Sequence, residues 1–154
     1  MFSGNMQQLT YWYLEFEAYK IDGNFFVKEI AILKGDRTQC YTYYIKQHAV
    51  PPPVSSEEYQ LQKSLLGLAW SYGEHSFEEA MTLIKEKTAA EDLIFVSSAE
   101  ARYFLSQYLA VTYQPCEIGF EMIHCPSENC DVRHGDQCAR RKVHELRYAD
   151  NHEL

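Results

Sequence analysis

The chain is 154 residues long, carries a net charge of −8 and holds five cysteines. That length suits one domain able to bury a core without disulfides, and the acidic balance argues against a surface built to neutralise long runs of nucleic-acid phosphate. An odd cysteine count, with three clustered near a histidine, argues against a secreted disulfide frame.

Residues 1–9 carry no pattern and read as a disordered or expression-derived start, with a single domain expected over residues 10–150. No apolar run approaches the roughly 18 residues needed to span a bilayer, and no secretory leader is recognisable, so a soluble intracellular protein, cytoplasmic or nuclear, with no membrane partner is expected.

YWYLEFEAY, within residues 10–20, alternates and is rich in aromatics, as a strand should be. Asp22-Gly23 then predicts a tight hairpin. FFVKEIAIL (25–33) reads as a second strand whose near-continuous apolar character suits a central position covered on both faces. After a turn at Gly35-Asp36, CYTYYIK (40–46) supplies a third strand and completes an antiparallel meander. Pro51, Pro52 and Pro53 interrupt the sheet.

Ser55 or Ser56, followed by Glu57 and Glu58, marks the start of a helix that runs through Tyr59, Leu61, Leu65, Leu66 and Leu68 towards Trp70, with Gly73 as its end. Ser76 with Glu79 three residues on is a capping-box signature, and Phe77, Ala80, Met81 and Ile84 give the second helix its apolar stripe. DLIFVSS (92–98) predicts a short strand, AEARYFLSQYLAV (99–111) a helix and CEIGFEMI (116–123) a fifth strand, before a last helix. The fold class that follows is mixed α/β. Its antiparallel three-strand meander plus two parallel strands, flanked by helices, matches an RNase-H-like mixed sheet.

CPSENCDVRHGDQC brings Cys125, Cys130, His134 and Cys138 into one short run, with His124 beside it. Thiolate sulfur and imidazole nitrogen are zinc donors. If a helix begins near His134, then His134 and Cys138 stand one turn apart on one face, and Cys130 can fold back as a third ligand. The competing reading is three unrelated thiols that behave as small buried hydrophobes. Arg140, Arg141 and Lys142 form the densest positive run, and with Glu145 and Asp150 close behind they read as a solvated helix face.

Two of these pieces carry a resemblance. FFVKEIAIL resembles the Glu-Ile-Ala strand of the Maelstrom domain, and CDVRHGDQCA is similar to its Cys-His-Cys-Ala end; the layout also resembles short, often transposon-linked arthropod proteins. Maelstrom domains have an RNase-H-like fold related to DEDDh 3′–5′ exonucleases and belong to germline transposon silencing. The resemblance implies a zinc site of Glu29, Cys130, His134 and Cys138, a chemically sound donor set. Here the Cys-to-His gap is one residue longer, and the next gap shorter, than in the family. Cys125 therefore stays open as an alternative ligand, as does a purely local set of Cys125, Cys130, His134 and Cys138, with Glu29 then a half-buried strand glutamate paired with a base.

The related exonucleases hold two Mg²⁺ ions with four carboxylates, the first two as Asp-x-Glu on the first strand. Glu15 and Glu17 stand at the matching place and point to one face of a strand. Ser97, Ser98 and Arg102 fall where the second acidic motif belongs, Glu100 is a poorly placed substitute, and Ala139 stands where the last aspartate is needed. The expectation is a zinc-stabilised, catalytically degenerate module, with Glu15 and Glu17 as a solvated strand face. It would act by binding single-stranded RNA or a silencing-complex protein, in piRNA-type gene silencing. The alternatives are an active metal-dependent RNA nuclease using Glu15, Glu17 and Glu100, and a protein adaptor. Tyr11, Trp12, Tyr13, Tyr41, Tyr43 and Tyr44 would stack unpaired bases if their sheet face were exposed; otherwise they are core or meet a protein partner.

Overall fold

A computed structural model describes residues 10–36, 39–47, 56–113 and 138–152. Strands β1 (Tyr11–Ile21) and β2 (Asn24–Lys34) form a long antiparallel pair. In the turn between them Asp22 (φ 53°) and Gly23 (φ 79°) are both left-handed, the geometry whose twist matches a hairpin and that Asp-Gly adopts with little strain. Strand β3 (Cys40–Tyr44) adds to β2.

Helices α1 (Ser56–Leu66) and α2 (Phe77–Lys87) then lead to β4 (Leu93–Val96), which is parallel to β1. Helix α3 (Ala99–Leu105) leads to the short β5 (Thr112–Tyr113), parallel to β4, and α4 (Ala139–His152) packs back on the sheet. The order β3-β2-β1-β4-β5 makes an open mixed sheet, three strands antiparallel and two added in parallel, and the mixed α/β class is as expected. No helix among the described residues is long and apolar enough to cross a membrane.

The central strand is β1 rather than β2, and both are covered on both faces. On one face Trp12, Leu14 and Phe16 join Val27, Ile30 and Ile32 beneath Ala80, Met81 and Ile84 of α2 and Leu105 of α3. On the other, Tyr13, Ala31 and Leu33 meet Ala139, Val143 and Leu146 of α4. Further along that face Tyr19 and Ile21 meet Leu66, Leu68 and Trp70, and the Tyr19 hydroxyl donates to the Leu68 carbonyl at 2.8 Å. The β1–β2 register breaks once: Glu17 lies opposite Glu29 but Ala18 opposite Val27, which leaves Lys28 as an extra residue on β2, a β-bulge.

Element ends differ from expectation in two places. Helix α1 stops at Gly67 rather than Gly73: Gly67 is left-handed (φ 70°) and its N–H donates to the Lys63 carbonyl at 2.8 Å, an αL cap. Gly73 serves close approach instead, since a Cβ there would stand 2.5 Å from both the Ile45 carbonyl carbon and the Lys46 nitrogen. Helix α3 is shorter than residues 99–111. The Ser106 hydroxyl bonds the Tyr103 carbonyl at 2.8 Å, a local bond that competes with helix continuation, and the following turn still seats Leu109 in the core. At α2 the Ser76–Glu79 capping box forms as expected. The triple proline and the strand expected at 116–123 lie outside the described residues.

Candidate metal centre and buried carboxylate cluster

Glu15 and Glu17 alternate with Leu14 and Phe16 on β1 and so point to the α4 face, where Glu29 stands across the ladder from Glu17. A solvated strand face was expected for the first two. Instead Glu15 is 5% exposed, Glu17 6% and Glu29 0%, because α4 covers this face of the sheet.

The basic run that begins α4 is not a solvated face either. Lys142 sends its Nζ to 2.8 Å from Glu17 Oε2 and 3.8 Å from Glu15 Oε1. Arg141 pairs with Glu145 at 3.8 Å, and Arg140 Nη1 donates to Thr42 Oγ1 at 3.2 Å.

Burial pushes the Glu15 carboxyl up to about 7, against the pull of Lys142 and a hydrogen bond from Ser97, with Glu17 adding to the rise. Burial also raises Glu17, more than Lys142 lowers it. For Lys142 burial acts downward, but Glu17, Glu15 and Glu29 outweigh it and its affinity for the proton rises. The ammonium therefore stays charged at neutral pH. Glu15 and Glu17 share the Lys142 ammonium, and a divalent ion held by these two carboxylates would have to compete with it.

At the place of the second acidic motif, Ser97 reaches Glu15, while Ser98 and Glu100 are engaged elsewhere. Ser98 caps α3, accepting from the Ala101 N–H at 2.9 Å, and Glu100 pairs with Lys20 at 2.7 Å on the surface, so it adds nothing to the cluster.

The structure places two of the four expected zinc ligands at the N-terminus of α4. Glu29 Oε1 accepts from the Ala139 N–H at 2.9 Å, a bond that spans most of the chain. Cys138, buried at 3% exposure, immediately precedes the helix, and its Sγ accepts from the Arg141 N–H at 3.4 Å, the contact of an N-cap. Helix N-terminal amides favour both a carboxylate and a thiolate, and both are zinc donors, so this half of the set fits the ion. Cys130, His134 and the competitor Cys125 lie outside the described residues; α4 begins at Ala139, so Cys138 precedes the helix rather than lying inside one that starts near His134. Among the described residues no three His, Cys, Asp or Glu side chains group to hold a metal.

Of the six aromatics expected to stack bases, Tyr11 alone is exposed, and it packs against Phe95, so together they form no stacking platform. Trp12, Tyr13 and Tyr43 are buried, the Tyr41 ring lies under Lys87 Nζ at 4.1 Å, and Tyr44 packs edge-on to Tyr72.

Sequence reasoning missed Lys142 and Lys28. Ala139, Lys142, Val143 and Leu146 share one helical stripe, so a lysine set in the apolar stripe was the available sign. A Lys-Glu pair inside the otherwise apolar FFVKEIAIL was the sign for Lys28.

Fold and site together define an open mixed α/β sheet domain with a buried, lysine-neutralised carboxylate cluster. No protein-family model matches the chain, and no curated protein matches it.

Proposed function

We propose that this chain is a catalytically degenerate, RNase-H-like binding module whose last helix is clamped to the sheet by zinc held by Glu29, Cys130, His134 and Cys138. The observation that carries the proposal is Lys142, which puts one ammonium 2.8 Å from Glu17 and 3.8 Å from Glu15 where two-metal chemistry needs divalent ions. The strand order, with three antiparallel strands and two parallel ones, supports the RNase-H-like reading. The meeting of Glu29 with the residue after Cys138 supports the zinc set. Bound zinc would supply a rigid cross-link, and its binding energy would be folding energy.

In Maelstrom-like silencing the partner would be single-stranded RNA or a protein of the silencing complex. The net charge of −8 and the burial of Trp12, Tyr13 and Tyr43 favour the protein. A salt-dependent shift of labelled single-stranded RNA by the purified chain would reverse that preference.

A second reading, a metal-dependent RNA nuclease, is favoured by the convergence of Glu15, Glu17 and Glu29 on one face. Incubation of labelled single-stranded RNA with the protein and Mg²⁺ or Mn²⁺ separates the two. Intact RNA is expected, and cleavage that disappears in the Glu15→Ala/Glu17→Ala double variant would overturn the degenerate reading.

A further inference from the structure

Side chains on β2 do not alternate strictly. Val27 faces the core beneath α2 and α3 with Ile30 and Ile32, whereas Phe26 packs on the opposite face near Trp70. Strict alternation after Val27 would send Glu29 into that apolar core, where a carboxylate finds no polar partner. The bulge at Lys28 prevents this: the register with β1 slips by one residue, and two consecutive side chains leave the strand on the same face.

Lys28 is fully buried, and its Nζ donates to the carbonyls of Ile45, Trp70 and Tyr72, each at 2.6 Å. Three ammonium protons meet three acceptors, a complete set for a lysine. The Lys28 carbonyl in turn accepts from the Ile45 N–H at 2.8 Å, so the extra residue is anchored on its β3 side. Its neighbour Glu29 reaches Ala139 at the start of α4.

We propose that Lys28 is the positioning residue for Glu29: its anchored side chain fixes the bulge that turns this carboxylate from the apolar core to the N-terminus of α4. As a statement about metal affinity the proposal rests on the zinc reading above; as a statement about Glu29 it does not.

The test is Lys28→Met, which keeps an unbranched side chain one atom shorter and removes its donors. Two readouts are compared with wild type: hydrogen exchange of the Ala139 amide relative to the Ile94 amide of β4, and zinc affinity by chelator competition. The Ala139 N–H heads a helix and has no intrahelical acceptor, so its protection reports the Glu29 contact. The expected result is Ala139 exchange accelerated about tenfold or more beyond any change at Ile94, with zinc binding weakened by about tenfold to a hundredfold. Parallel changes at Ala139 and Ile94, with zinc affinity unaltered, would make Lys28 a general stability residue and overturn the proposal. If wild type takes up no zinc, the zinc reading fails and the Ala139 readout alone decides. If the methionine variant does not fold, Lys28→Arg is read in the same way, and failure of both to fold would equally overturn a specific positioning role.

Discussion

Glu15→Gln tests the electrostatics of the cluster with little change of shape. The Glu15 carboxyl is raised from the ordinary 4.5 to about 7, chiefly by burial. Between those values the folded chain binds more protons than the unfolded one, so stability falls as pH rises through this window and levels off above about 7. At about 1.4 kcal/mol for each tenfold change in proton affinity, the loss attributable to Glu15 is about 3 kcal/mol. Glu17 is raised as well and acts in the same direction.

Urea unfolding of both proteins at pH 5 and pH 8 measures the effect. Wild type should lose stability between the two, and the glutamine variant should lose about 3 kcal/mol less. Loss of the Lys142 contact shifts the variant at pH 8 and leaves much of that difference intact. Equal losses in both proteins would refute a neutralised buried carboxyl at this position.

Lys142→Met leaves Glu15 and Glu17 buried without their cation; at pH 8 it should cost about 3–5 kcal/mol in urea unfolding, and less at pH 5, where the Glu15 carboxyl is protonated. Gly73→Ala forces a Cβ to 2.5 Å from the Ile45–Lys46 backbone at a φ of 146°, and thermal unfolding should show a loss of about 1–3 kcal/mol. Ser76→Ala removes the oxygen that caps Glu79 N–H at 3.1 Å and should lower the urea midpoint by the equivalent of about 1 kcal/mol.

What was legible in the sequence was local. Asp22-Gly23 specifies its turn through backbone conformations of its own, and Ser76 with Glu79 closes its cap over three residues. The choice between Gly67 and Gly73 as a helix end was not legible, because either glycine can terminate a helix. Packing decided it: Gly67 closes on Lys63, while Gly73 is held against the Ile45–Lys46 backbone just past β3.

The largest error concerned Glu15 and Glu17. Alternation in YWYLEFEAY marks two faces but cannot say that the charged one is roofed by a helix more than 100 residues later, or that Lys142 comes down with it. Cys138 stood out in the local Cys-His run and Glu29 only through the family resemblance, and their convergence at α4 is the part of the expected zinc site that lies within the described residues.

X-ray absorption at the zinc edge, on protein purified without added metal, tests the proposed clamp most directly. The account predicts one zinc bound by two sulfurs at about 2.3 Å and two nitrogen or oxygen donors at about 2.0–2.1 Å, from Cys130, Cys138, His134 and Glu29. Three sulfurs and a single lighter donor would move the site away from Glu29 to a local set with Cys125, and protein that folds without zinc would contradict the clamp altogether.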